Sequence, residues 1–226
     1  MPELPEVETV RRAMEAHVVG RRIDDVWCAD LKLREPLSRR RLKALRDRRI
    51  LSCERRAKYL LLHVEGARTL LVHLGMSGNL VLRDQQLKHD HVVFYLDDGP
   101  PLVYHDPRRF GLVLSLTSKQ LVDCPWLQNL GVEPLEDDFD VDLLAAACQG
   151  RQRPIKNLLL DGHVVVGVGN IYASEALFAA AIRPTTAAHR IRRPRLERLV
   201  EAIKTTLQRS IDHGGTTIRD YAGTGA

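Results

Sequence analysis

The chain has 226 residues and a mass of 25.6 kDa, room for two compact domains at about 100–200 residues each. Its 44% hydrophobic and 28% charged residues exclude a disordered chain, and no run of about 18 apolar residues supplies a membrane-spanning helix. Lysine and arginine (34) outnumber aspartate and glutamate (29), and the resulting net charge of +5 leans toward a polyanionic partner.

The N-terminus, MPELPEVETV, lacks the basic-then-apolar profile of a signal peptide. It predicts a helix instead: Pro5 suits the first turn, Val7, Val10 and Met14 recur at helical spacing, and Gly20 closes it. A short helix is expected over 38–46, with Ser38 as its N-cap. Strand-like segments then run over 58–64, 69–75, 79–83, 91–97, 101–106 and 111–116, separated by Glu65-Gly66, Gly75, Asp97-Asp98-Gly99 and Asp106-Pro107. Such short connections predict an antiparallel sandwich or barrel. Beyond residue 140 the period changes to helices over 140–150, 154–162, 170–180 and about 195–212, the last with Leu196, Leu199, Ile203 and Leu207 as its buried stripe. The fold class is thus α+β: an N-terminal antiparallel β-sandwich with a leading helix, then an all-α domain. The divisions are 1–130 for the β domain, 131–141 for a linker and 142–226 for the helical domain.

Charge follows the same division. Residues 1–113 carry 21 basic and 16 acidic side chains, residues 143–226 carry 12 and 6, and residues 133–142 hold six acids without a base. Two basic domains joined by an acidic segment suit a nucleic acid gripped by both; a solvated surface is the competing reading. The four cysteines (Cys28, Cys53, Cys124, Cys148) form no CxxC pair, which predicts reduced thiols, a cytoplasmic protein and no metal site among these residues. His89 and His91 share one strand face, but no third ligand accompanies them.

The chemistry points to the N-terminus. A methionine before a small second residue is normally removed, which would expose the secondary amine of Pro2. With a pKa near or below ~8, such an amine attacks carbonyl carbons at neutral pH. Glu3 is adjacent and Glu6 one helical turn on, so two carboxylates lie within reach for proton transfer. The competing reading is a helix start, where proline and glutamate are favoured anyway. Lys58 stands at the edge of a half-buried strand. Met76 and Phe110 lie in glycine-flanked turns, where apolar side chains need a reason beyond the core.

The segments MPELPEVETVRR, RRAKYLL (55–61), HLGMSG (73–78), KHDH (88–91), DPRRFG (106–111), VGVGNIYASEALF (166–178) and GGTTIRD (214–220) together resemble the bacterial formamidopyrimidine-DNA glycosylase family. The likeness runs in order along essentially the whole chain. It implies base excision repair: a bifunctional glycosylase removing oxidised purines (8-oxoguanine, formamidopyrimidines) and a lyase cutting the resulting abasic site through a Schiff base on Pro2. Leu4 resembles the purine-directed branch; the oxidised-pyrimidine branch typically has glycine there. Pro2 would attack the sugar C1′, Glu3 would protonate the opening deoxyribose, Glu6 would support it, and Lys58 would face a phosphate and the reacting sugar. Met76, Arg108 and Phe110 would fill the space left by the extruded base. His73, His91, Lys156, Gly169, Asn170 and Tyr172 would bind phosphates, the last three at a helix start where backbone N–H groups meet an anion. The basic residues over 190–198 would act only by general attraction. The implied partner is duplex DNA bearing oxidised bases or abasic sites, with no membrane, bound by a monomer associated with the bacterial nucleoid.

Two departures stand out. Ala57 precedes the KYLL motif where the family commonly has glycine. The family also continues past GGTTIRD into a four-cysteine zinc hairpin, whereas this sequence stops at Ala226 without that pattern. The expectation is either a fragment or a zinc-less form, no cofactor within these residues, and a damaged-DNA-binding protein without turnover as the alternative to an enzyme.

Overall fold

The structure is a computed structural model that describes residues 2–215. The described chain divides into two compact units. One comprises Pro2 and residues 6–127; the other comprises residues 3–5 and 128–215.

The first unit is an eight-stranded antiparallel sheet folded over a helix. Helix α1 (Leu4–His17) sends Val7, Val10 and Met14 into the core at the predicted spacing. The strands are β1 (Arg22–Cys28), β2 (Arg48–Arg56), β3 (Tyr59–Val64), β4 (Arg68–His73), β5 (Asn79–Leu82), β6 (Asp90–Leu96), β7 (Leu102–His105) and β8 (Leu112–Thr117). Short helices α2 (Arg39–Lys43) and α3 (Ser118–Val122) lie between β1 and β2 and after β8. The strand order is β5-β7-β6-β1-β2-β3-β4-β8.

The sheet creases at β2. That strand meets β1 only at Arg22↔Arg49 and Ile23↔Arg48, then pairs with β3 from Ile50↔Val64 to Arg56↔Tyr59 across a register shift at Ile50/Ser52. A bulge bends and twists a strand, so the two halves close face to face as the expected sandwich. Phe94 and Tyr104 from one half share a core with Leu60, Leu62, Val72 and Val113 from the other. Each such side chain contributes roughly 1.5–3 kcal/mol by leaving water. Strands β1 and β2 were not among the expected segments; both are charged and both carry a register shift.

The second unit is helical: α4 (Val141–Cys148), α5 (Ile155–Leu159), α6 (Asn170–Ala179) and α7 (Arg193–Asp212). Asp140 caps α4 by accepting from Leu143 N at 2.8 Å. Leu196, Leu199, Ile203 and Leu207 are all buried, and Ile211 extends the stripe by one turn. Residues 131–141, expected as a linker, belong to this unit instead. Gly131 N donates to Gly162 O at 2.7 Å, Val132 bridges to Val165, and Phe139 is fully buried. The six acids sit on a segment that its apolar residues pin down.

Candidate functional site

In the second unit, three backbone N–H groups converge on Glu3. Its carboxylate, 2% exposed, accepts from the backbone N–H groups of Gly169 (2.8 Å), Ile171 (2.9 Å) and Tyr172 (3.2 Å). These are donors that the first turn of α6 leaves without helical partners, at the positive end of the helix dipole. Leu4 reinforces the join, its N–H donating to Gly167 O at 3.0 Å. A Cβ on Gly169 would overlap the Glu3 carboxyl group. The expectation that this helix start receives a phosphate through Gly169 and Tyr172 is therefore corrected: the anion it holds is the chain's own Glu3. Tyr172 is 1% exposed, packed in the core, with its hydroxyl 2.6 Å from Ser210 Oγ. Asn170 remains exposed at the helix start. On the same unit Lys156 Nζ donates to Ser174 Oγ at 2.9 Å, one turn into α6.

In the first unit Pro2 and Glu6 are buried at the beginning of the chain, while Met1 lies outside the described residues. Lys58 sits in the two-residue turn between β2 and β3, flanked by the pair Arg56↔Tyr59. Glu8 of α1 accepts from Arg11 at 3.0 Å and from Arg55 at 3.2 Å, and Arg55 also donates to Ala57 O at 3.0 Å. The turn bearing Lys58 is thereby tied to the helix that follows Pro2.

On the face of the sheet turned away from the shared core, Tyr59 and His73 are register partners with ring centroids 4.9 Å apart. His73 Nδ1 accepts from Gly75 N at 2.9 Å, so its remaining proton sits on Nε2. Burial, with the nearby cations Arg34 and Lys58 adding to it, pushes the His73 imidazole down to about 4. His73 is accordingly a neutral donor at physiological pH. Arg34 escaped the sequence reading. Its guanidinium stacks 5.5 Å from the Trp126 ring centroid and its backbone N–H donates to Gly111 O at 3.0 Å. Its one sequence signal is its place in a basic run between two predicted elements.

Met76, Arg108 and Phe110 lie on two loops held by one buried group. Asp106, with no exposed surface, accepts from Ser77 Oγ (2.7 Å) and Arg108 N (3.3 Å) on one oxygen and from Gly111 N (2.9 Å) and Tyr104 OH (3.3 Å) on the other. Gly75, at φ +67°, lies so near the backbone of Phe110 and Gly111 that a side chain would collide with it. Loops fixed in this way leave Met76 (44%) and Phe110 (45%) exposed, and the Arg108 guanidinium lies 4.8 Å from the Phe110 ring centroid. Exposed apolar side chains on rigid loops suit insertion into a base stack. His91, expected on phosphate, is instead turned inward: it is 4% exposed and its Nε2 lies 2.8 Å from Asp106 O. It braces the same loop.

The sequence profile of the formamidopyrimidine-DNA glycosylase N-terminal domain matches residues 1–113, and that of the H2TH domain of the same enzymes matches residues 130–222. The chain belongs to the formamidopyrimidine-DNA glycosylase family. A formamidopyrimidine-DNA glycosylase of Stutzerimonas stutzeri is 49% identical over 226 residues, covering 99% of this chain and 83% of its own length. One from Thioalkalivibrio sulfidiphilus is 50% identical over 224 residues, covering 98% and 82%. Among solved structures, the Thermus thermophilus enzyme superposes with a TM-score of 0.86 at 37% identity, covering 97% of this chain and 79% of that one. A Lactococcus lactis Fpg variant bound to Fapy-dG-containing DNA gives a TM-score of 0.90 at 33% identity, covering 100% and 84%.

Against the glycosylase family's pattern, Ala57 now has a physical meaning. Its φ of +55° lies in the left-handed region, which explains why glycine is usual there. The glycosylases' zinc hairpin finds no counterpart among the described residues. The four cysteines are buried separately, and among the described residues no group of three His, Cys, Asp or Glu side chains is placed to hold a metal.

Proposed function

We propose that this chain excises oxidised purines from duplex DNA and cleaves the resulting abasic site, using the Pro2 amine as nucleophile. The nitrogen lone pair attacks C1′ of the damaged nucleotide and the bond from C1′ to the base breaks. Glu3 takes up the proton that the attacking amine gives up and passes it to the ring oxygen as the deoxyribose opens, leaving an iminium between Pro2 and C1′. Electron withdrawal by that cation loosens the C2′ proton, and successive eliminations expel the 3′ and 5′ phosphates. Lys58 and neutral His73 position phosphate and sugar, with Lys156 and Asn170 serving the second unit's side. Met76, Arg108 and Phe110 occupy the gap that base extrusion leaves, offsetting a cost of a few kcal/mol.

The observation that carries this reading is Glu3. A carboxylate one residue from the candidate amine is held by three backbone N–H groups and cannot swing away. Borohydride trapping on an 8-oxoguanine duplex tests it. A covalent protein–DNA adduct with the processed chain is expected; no adduct, or an undiminished one with Pro2→Gly, would contradict it. Oxidised pyrimidines are a second reading, because the Lactococcus lactis enzyme has been solved with an oxidised-pyrimidine-containing DNA at 32% identity. Relative excision rates on the two lesion classes separate them.

A further inference from the structure

One segment of the first unit is strongly basic. Residues 32–49 contain nine lysines and arginines against two acids, a local +7 that exceeds the +5 of the whole chain. The fold turns much of that charge outward. Leu42 and Leu45, at 1% and 0% exposure, fasten α2 and its following turn to the core, and Ser38 caps the helix by accepting from Arg41 N. Arg39, Arg40, Arg41, Lys43 and Arg46 are all exposed as a result. Arg46 meets Asp47 at 3.6 Å, whereas Arg40, Arg41 and Lys43 make no ion pair among the described residues. Like charges one helical turn apart, such as Arg39 and Lys43, destabilise a helix. A short helix built of them is better served by an external anion than by water alone.

The patch starts close to the insertion loops. Arg34 N–H is bonded to Gly111 O at the end of the Phe110 loop, and α2 begins five residues later. Five residues span at most about 17 Å, or about five base pairs of duplex at ~3.4 Å each. We propose that the exposed face of α2 is an accessory duplex-binding surface that grips backbone phosphates flanking the lesion on one side. This rests on the DNA-repair reading above and adds a second contact zone to it. Being made of flexible cations on one helix, the surface reads charge and not sequence.

The test compares the full chain with the triple variant Arg40→Gln, Arg41→Gln, Lys43→Gln. The probes are duplexes of about 30 and about 9 base pairs centred on a tetrahydrofuran abasic-site analogue, with affinity measured against salt. On the long duplex the slope of log affinity against log salt is expected to fall by about 2–3, close to 0.9 per lost phosphate contact. On the short duplex, which offers fewer flanking phosphates, the fall should be smaller. The conservative triple Arg40→Lys, Arg41→Lys, Lys43→Arg should restore the long-duplex slope. A control triple in the second unit, Arg190→Gln, Arg192→Gln, Arg198→Gln, removes the same charge elsewhere. An unchanged slope in the α2 triple, or an equal fall in the control, would overturn the surface. So would a loss confined to single-stranded RNA of equal length. Failure of the unmodified chain to bind either duplex would instead overturn the DNA-repair reading itself.

Discussion

Glu3 combines an observed role and a proposed one on the same atoms. It caps α6 through three N–H bonds, and the proposed chemistry asks it to move protons beside Pro2. Glu3→Gln separates these jobs poorly, but its direction is clear. The amide turns an NH2 group toward backbone donors that need an acceptor, at a cost of about 1–3 kcal/mol. Thermal unfolding should shift down with the loss of activity, by roughly 2–4 °C per kcal/mol. Asp106 offers a cleaner separation. It touches no part of the substrate in the proposed mechanism, yet both insertion loops hang on its carboxylate. Asp106→Asn should slow release of an intact damaged base about tenfold, equivalent to about 1.4 kcal/mol, while cleavage of a preformed abasic site, which has no base to extrude, stays near normal. Equal losses on both substrates would remove Asp106 from any role in extrusion.

His73 gives a pH prediction with a definite sign. Its folded pKa of about 4 lies below the ordinary imidazole value, so between the two the unfolded chain binds the extra proton. Its contribution to stability is complete above about pH 6.5, declines as pH falls toward 4, and levels off below that. The imidazole NMR signals of His73 in the free protein should hold still from about pH 7.5 to about pH 5. A titration centred near 6.5 would show that the ring is hydrated and not buried.

At the scale of elements, the turn at Ala57 stores a small strain that glycine would relieve. Ala57→Gly is expected to raise stability by about 0.5–1 kcal/mol, read as the denaturant midpoint, since a left-handed φ burdens alanine and not glycine. The same scale shows what a sequence does and does not reveal. Strands such as β3 and β4 announce themselves as nearly unbroken apolar, buried runs, and α7 by a buried stripe at helical spacing. Strands β1 and β2 hide, because a register shift breaks their alternation, charge fills several exposed positions, and apolar Trp27 and Leu51 are exposed beside them. The α6 start was legible as an anion site, but its occupant lies 166 residues away in sequence. Only the fold could supply Glu3. His91 and Tyr172 illustrate the same limit: a donor is visible in sequence, whereas the direction it faces is set by packing.

The molecule as a whole consists of two units with separate cores, one closed by a creased sheet and the other by α7. Residues 131–141 belong to the helical core, because Leu135 and Phe139 outweigh the acids around them in deciding where the segment lies. The central claim, that the amine of residue 2 is the nucleophile, is tested most directly by locating the trapped bond. After borohydride reduction on an 8-oxoguanine duplex and proteolysis, mass spectrometry should find the deoxyribose remnant on the peptide that begins at Pro2. A remnant on Lys58, Lys156 or any other lysine, with the N-terminal peptide unmodified, would contradict the account.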